Sequence, residues 1–116
     1  MDQARPKKIV RVSFWKAGNG KEPVREWLKS LPKNEKRTIG EDLKTVERGW
    51  PIGMPLVRSL RNQLWEVRST IPNGIARIIF KMVDEEMVLL HGFIKKSPKI
   101  PMQDLELALR RAKMLD

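Results

Sequence analysis

Four β-rich segments follow one another so closely between Val57 and Ile94 that the chain there is predicted to fold as an antiparallel meander. They run from Val57 to Leu60, Leu64 to Ile71, Ile75 to Val83 and Met87 to Ile94, with turn signals at Asn73-Gly74 and Asp84-Glu85. Parallel neighbours would need a crossover of a dozen or more residues, and these gaps hold only a few.

The central hairpin yields a register. Asn-Gly is a favoured two-residue turn, which pairs Pro72 with Ile75. Residues opposite one another share a face, so Trp65, Val67 and Ile71 join Ala76, Ile78, Phe80 and Met82 on a core side. The other face receives Glu66, Arg68 and Thr70 with Arg77, Ile79 and Lys81, and Glu66 stands opposite Lys81. A slip of one residue would mix Trp65 and Val67 with Arg77 and Lys81, spoiling both faces. The weak point is Pro72, which has no N–H for the closing pair of hydrogen bonds.

For the second hairpin, a two-residue loop at Asp84-Glu85 sets Lys81 opposite Val88, Ile79 opposite Leu90 and Arg77 opposite Gly92. His91 then lies in the core, and Gly92 leaves open space above Arg77. A three-residue loop would instead bring His91 to the basic face. The core placement is adopted, since a lone His in an apolar run is usually packed.

Helices flank the meander. A short β-rich run (Ile9, Val10, Val12, Phe14, Trp15) ends at Gly18-Asn19-Gly20. Pro23 suits the first turn of a helix whose stripe is Val24, Trp27, Leu28 and Leu31. Pro32 breaks it. A second helix carries Ile39, Leu43 and Val46 and stops near Gly49, with Gly40 an unfavourable interior residue. After the basic loop Lys95-Lys96-Ser97-Pro98-Lys99-Ile100-Pro101, a last helix presents Leu105, Ala108, Leu109 and Ala112. The predicted order is β-α-α-β-β-β-β-α. This is an α+β fold: an antiparallel sheet with an N-terminal helical hairpin on one face and a C-terminal helix. Residues 1–116 form a single domain, with 1–6 a flexible arm.

Charge narrows the function classes. With 24 Lys and Arg against 14 Asp and Glu the formal net charge is +10, which points to nucleic acid or an acidic partner. There is no Cys, no Tyr and a single His, so thiolate catalysis and a multi-histidine zinc site are excluded. No metal or cofactor is expected. Neither a signal-peptide core nor a spanning run is present, so a soluble cytoplasmic protein is expected, without a membrane partner. Trp50 or Trp65 could stack on bases if exposed, although core packing is the expectation for Trp65.

The segments Leu64-Trp65-Glu66-Val67-Arg68, Ala76-Arg77-Ile78-Ile79-Phe80 and Leu89-Leu90-His91-Gly92-Phe93-Ile94-Lys95-Lys96 resemble the phage-derived HigB-like branch of the RelE/ParE toxin superfamily. So does Leu105-Glu106-Leu107-Ala108-Leu109-Arg110-Arg111-Ala112, and the likeness covers most of the chain after Ile9. The resemblance implies a RelE-like fold and a type II toxin, an mRNA interferase that usually cuts in the ribosomal A site. It also implies silencing by a cognate antitoxin, a HigA-like helix-turn-helix protein. By position, Arg77 and Arg68 match the basic residues of the middle strands, and Lys95 or Lys96 the one after the last strand. Lys81, Lys99 and Arg61 are further expected RNA contacts. Some relatives place a Tyr near the last helix, and this chain leaves that role unfilled.

Metal-free RNA cleavage must align and deprotonate a 2′-hydroxyl, stabilise the phosphorane and protonate the leaving 5′-oxygen. Arg68 and Arg77 can clamp the phosphate, but Arg is a poor proton acceptor. That leaves Glu66, a Lys of lowered pKa, or a ribosomal group as base. The expected assignment is Arg68 and Arg77 on the scissile phosphate, Lys95 or Lys96 in proton transfer, and Glu66 chiefly a cross-strand partner of Lys81. On it, Arg77→Ala should abolish toxicity without loss of folded protein. Alternatives are a ParE-like gyrase inhibitor on the same fold, a non-catalytic RNA-binding module, and an inactive phage remnant.

Overall fold

The computed structural model describes residues 10–97 and 99–115. The arm expected at residues 1–6, together with Ile9 and Pro98, lies outside the described residues. Five strands and three helices follow in the order β1 (Arg11–Phe14), α1 (Pro23–Lys29), α2 (Lys33–Gly49), β2 (Val57–Ser59), β3 (Leu64–Ile71), β4 (Gly74–Val83), β5 (Glu86–Lys95) and α3 (Met102–Lys113). The sheet order is β1-β5-β4-β3-β2.

From β2 to β5 the sheet is the antiparallel meander that the short connections require. The expectation of a purely antiparallel sheet is corrected at β1, which pairs in parallel with β5 so that Val12 stands beside Met87 and Phe14 beside Leu89. The helices α1 and α2 provide the crossover. They carry the chain from one edge of the sheet to the other, so direction is not fixed by a tight turn.

The hairpin α1–α2 covers one face. Val24, Ile39, Leu43 and Val46 are buried there against Val67, Ile71, Ala76, Ile78, Phe80 and Leu89. Trp50 closes this layer with edge-on contacts to Trp65 at 5.0 Å and Phe80 at 5.5 Å. Both tryptophans are therefore packing residues on the helical-hairpin side. The opposite face holds Leu64, Ile79, Val88 and Leu90, with Ala108 and Ala112 of α3 laid on them.

The β3–β4 register differs from the expected one by two residues. Ile71 pairs with Gly74, and Pro72-Asn73 form the turn. The reason is the missing N–H of Pro72: at a turn position nothing asks it to donate. Gly74 takes a φ of +143°, which suits glycine. A shift of two preserves parity, so every side chain keeps its expected face. The pairs change, however. Arg68 now faces Arg77, Glu66 faces Ile79, and Lys81 faces Leu64.

Asp84-Glu85 is the two-residue turn of the next hairpin, and Lys81 pairs with Val88 as expected. Beyond Phe80 and Leu89 a bulge at Leu90 shifts the partners, so Ile79 meets His91 and Arg77 meets Phe93. An extra residue in one strand reverses the facing of all that follow. His91 therefore leaves the core for the α3 face, where its Nε2 lies 2.6 Å from Asp104 Oδ1. Gly92 moves under α1 instead of opening space above Arg77: a Cβ there would meet Trp27 at 2.5 Å. Arg111 of α3 fastens the bulge by donating to the Leu90 carbonyl at 2.6 Å while lying over the Trp15 ring.

Candidate nucleic-acid interface

The strand pairing gathers four ionisable side chains on the α3 side of the sheet. Arg58 on β2 is opposite Glu66 on β3, and Arg68, two residues further along β3, is opposite Arg77 on β4. Glu66 is the hub. Its Oε1 lies 3.0 Å from Arg58 Nη2 and 3.9 Å from Arg68 Nε, and its Oε2 accepts from Arg77 Nη1 at 3.2 Å. The Glu66 and Arg77 side chains are both 0% exposed, whereas Arg68 keeps 18% and Arg58 31%.

Three guanidinium groups around one carboxylate leave an excess of positive charge at the heart of the sheet face. Two arginines directly opposite one another would ordinarily repel. Glu66 offsets part of this, and the Ser97 carbonyl accepts from Arg77 Nη2 at 2.6 Å. Buried atoms without a hydrogen-bond partner among the described residues include the donors Nε of Arg68 and Nε of Arg77 and also the acceptor Oε1 of Glu66, which lies 3.9 Å from Arg68 Nε. A buried cationic donor without an acceptor is costly unless an anion completes it. Among these four side chains the formal charge is net positive.

The Ser97 contact also explains how the basic loop is held. After Lys95, which faces Ile75 at the end of β5, the chain passes over Arg77. Beside it a groove of about 440 Å³ opens, lined by Arg61, Lys95, Ser97, Lys99, Ile100, Pro101, Met102 and Leu105. Arg61 comes from the β2–β3 turn, where Asn62 and Gln63 both take positive φ. Lys96 is exposed and is not among the residues lining the groove; its Cγ would lie 3.4 Å from a Cβ at Gly74, at the start of β4.

Of the residues expected from the sequence, Arg68, Arg77 and Glu66 come together, and Arg61, Lys95 and Lys99 meet in the groove. Lys81 lies one row further along the sheet, between Leu64 and Val88. Two expectations are corrected. Glu66 is not the cross-strand partner of Lys81 but a buried carboxylate among arginines, because the register moved by two residues. Nor is Arg77 an open phosphate clamp, since the loop and Glu66 cover it completely; its truncation bears on folding as well as on activity. Arg58 was missed. Its signal was available in the Val57-Arg58-Ser59 segment, but without the β2–β3 register nothing tied it to Glu66. Trp50 and Trp65 pack on the far side of the sheet and offer no stacking surface here.

At the other end of this face, burial and the neighbouring charge of Arg110 lower the pKa of Arg111 from the ordinary arginine value. Among the described residues no group of three or more His, Cys, Asp or Glu side chains could hold a metal ion. No helix of the described residues is long and apolar enough to cross a membrane.

A search of curated proteins finds no match. A family model does match: the phage-derived Gp49-like protein family (DUF891), over residues 26–113. That span takes in α2, the entire meander with its arginine cluster, the groove and α3. With that span matched, the chain belongs to the phage-derived Gp49-like family, which is part of the RelE/ParE-like toxin superfamily.

Proposed function

We propose that this chain, acting as one domain, is the toxin of a type II toxin–antitoxin pair in the HigB-like branch, and that it cleaves translated mRNA on the ribosome in the cytoplasm. The observation that carries this reading is the arginine cluster around Glu66, set beside a cationic groove. A scissile phosphate is the anion that such a cluster lacks. Arg68 and Arg58, the partly open members, are the groups able to reach it, and charge-assisted bonds from them would strengthen as the phosphorane forms. Arg77 acts from beneath as a positioning residue, tying Glu66 to the loop.

Cleavage proceeds by attack of the 2′-oxygen on the adjacent phosphorus. Its proton leaves to a base, the P–O5′ bond breaks, and the departing 5′-oxygen takes up a proton, giving a 2′,3′-cyclic phosphate. Lys95 is the favoured proton-transfer group because it lines the groove with Arg61 and Lys99. An acidic or amphipathic antitoxin of the HigA-like, helix-turn-helix kind would oppose the net charge of +10.

The test is induction of Arg68→Ala with growth and mRNA 5′ ends followed together. Loss of one phosphate-directed donor is expected to reduce cleavage by about 100- to 1,000-fold while the protein stays folded. Unreduced cutting by this variant would sink the assignment. Growth arrest without ribosome-associated cuts would favour a gyrase inhibitor instead.

A further inference from the structure

The loop between α2 and β2 reaches the arginine cluster through a sulfur atom. Met54 Sδ lies 4.0 Å from Arg68 Nη1. The chain around it is fastened: Val57 N donates to the Gly53 carbonyl at 3.1 Å, and Arg68 N donates to the Leu56 carbonyl at 2.8 Å. Packing does not account for a methionine at this position. Met54 belongs to neither apolar cluster and is 58% exposed. A thioether is a weak acceptor, so the reduced side chain competes little for a guanidinium donor. It leaves Arg68 Nη1 available to a phosphate.

We infer that Met54 is an oxidation site, open to peroxides, whose sulfoxide captures Arg68 and slows the reaction on RNA. The inference rests on the RNA-directed reading above and adds a means of control at the same site. In the step, a sulfur lone pair attacks one oxygen of hydrogen peroxide, the O–O bond breaks and an S–O bond forms. The proton of the transferred oxygen passes to the departing one, which leaves as water. Sulfur is oxidised by two electrons and the peroxide is reduced by them, turning an apolar side chain into a polar one. The new oxygen is carried on a sulfur that already touches Arg68, within reach of a hydrogen bond from Nη1. A guanidinium donor makes such a bond a strong one. The loop cannot retreat without breaking its bonds at Gly53 and Leu56. Met102 and Met114 are also open to peroxide, being 65% and 71% exposed, and so provide a comparison within the same chain.

The experiment treats the purified chain with hydrogen peroxide, removes the excess, and measures the oxidised fraction of each methionine by peptide mass spectrometry. Two signals are then followed. One is cutting of mRNA on ribosomes. The other is the rate at which phenylglyoxal, an arginine-selective reagent, modifies Arg68, which needs no RNA. With Met54 oxidised, cutting should fall by about tenfold and Arg68 modification should slow by about threefold or more, the effect of one hydrogen bond to a charged group. A methionine sulfoxide reductase with a dithiol should restore both, the sulfoxide oxygen leaving as water while the dithiol becomes a disulfide. Met54→Leu, of similar volume but without sulfur, should keep both signals after the same treatment, with Met102 and Met114 still oxidised. Met54→Gln carries a permanent carbonyl acceptor and should show the slowed values without peroxide.

An oxidised wild-type chain that keeps both signals would overturn the site. So would a Met54→Leu chain inhibited as strongly as wild type, which would move the effect to Met102 or Met114. Shielding of Arg68 with cutting unchanged would reject control of the reaction. Because Arg68 modification is read without RNA, the two readings separate. A wild-type chain that cuts no RNA sinks the cleavage reading, while slowed Arg68 modification on oxidation still supports the Met54 site. Arg68 modified at an unchanged rate in a chain that does cut rejects the site and spares the cleavage reading.

Discussion

The same three strands build two very different surfaces. Toward α1 and α2, β3, β4 and β5 present Val67, Ile78, Phe80 and Leu89, buried together with helix side chains. Toward α3 their alternate residues divide: Leu64, Ile79, Val88 and Leu90 pack under the helix, while Glu66, Arg68 and Arg77 form a charged cluster beyond its reach. One face is stabilised by burial of apolar area, which is insensitive to pairing details. The other adds to its apolar residues under α3 a cluster held by particular charge pairs. The groups proposed to act on RNA lie where the sheet depends on such specific pairing.

The largest difference between the faces should appear when that pairing is broken. Arg77→Met removes a fully buried cation from Glu66 and from the Ser97 carbonyl, leaving a buried carboxylate with fewer partners. Breaking a buried pair by deleting one member costs about 3–5 kcal/mol. Adding Glu66→Leu should recover only part of this: it removes the stranded carboxylate, but Arg58 and Arg68 then lose theirs. Urea denaturation of the single and double variants measures the recovery. Cleavage should stay lost in the double variant, since the loop over Arg77 has no anchor. A double variant that regains full activity would show that Arg77 serves only to hold the fold.

The helical-hairpin face should respond to shape instead. Gly92 lies under Trp27, and an added methyl group would come within 2.5 Å of the ring. Gly92→Ala is therefore expected to destabilise by about 1–3 kcal/mol, as overpacking does. Activity per folded molecule should change little, because α1 lies across the sheet from the cluster. A larger loss of cleavage than of stability would mean that the two faces are mechanically linked through the bulge at Leu90.

Much of this contrast was legible in the sequence, and its gaps have physical causes. Alternation assigned residues 65–82 to their faces, and the two-residue error at Pro72-Asn73 did no harm there because faces depend on parity alone. The same error misassigned the partner of Glu66, because cross-strand contacts depend on register itself. The bulge at Leu90 carries no Gly or Pro to announce it, and it moved His91 and Gly92 together. Arg58 was hidden by a turn that uses Asn62 and Gln63 in left-handed backbone without an Asn-Gly signature. The parallel partner of β1 lies more than 70 residues away in sequence, where no local pattern reaches. The cover over Arg77 comes from a loop whose path follows from tertiary contacts.

The smallest expected effect lies farthest from the charged face and has the opposite sign. Gly40 sits in the interior of α2, where a Cβ would find nothing within 4 Å. Unlike Gly92, it fills no close approach. The helix bears the entropic cost of glycine there without a packing return, and Gly40→Ala should stabilise by about 0.5–1 kcal/mol. Thermal unfolding would register this as a rise in Tm, with cleavage and single-strand RNA binding unchanged, because α2 reaches neither the cluster nor the groove. A destabilised Gly40→Ala would mean that this helix face is covered by something other than solvent. Such packing would have to come from within the folded chain, against the open space found at this position.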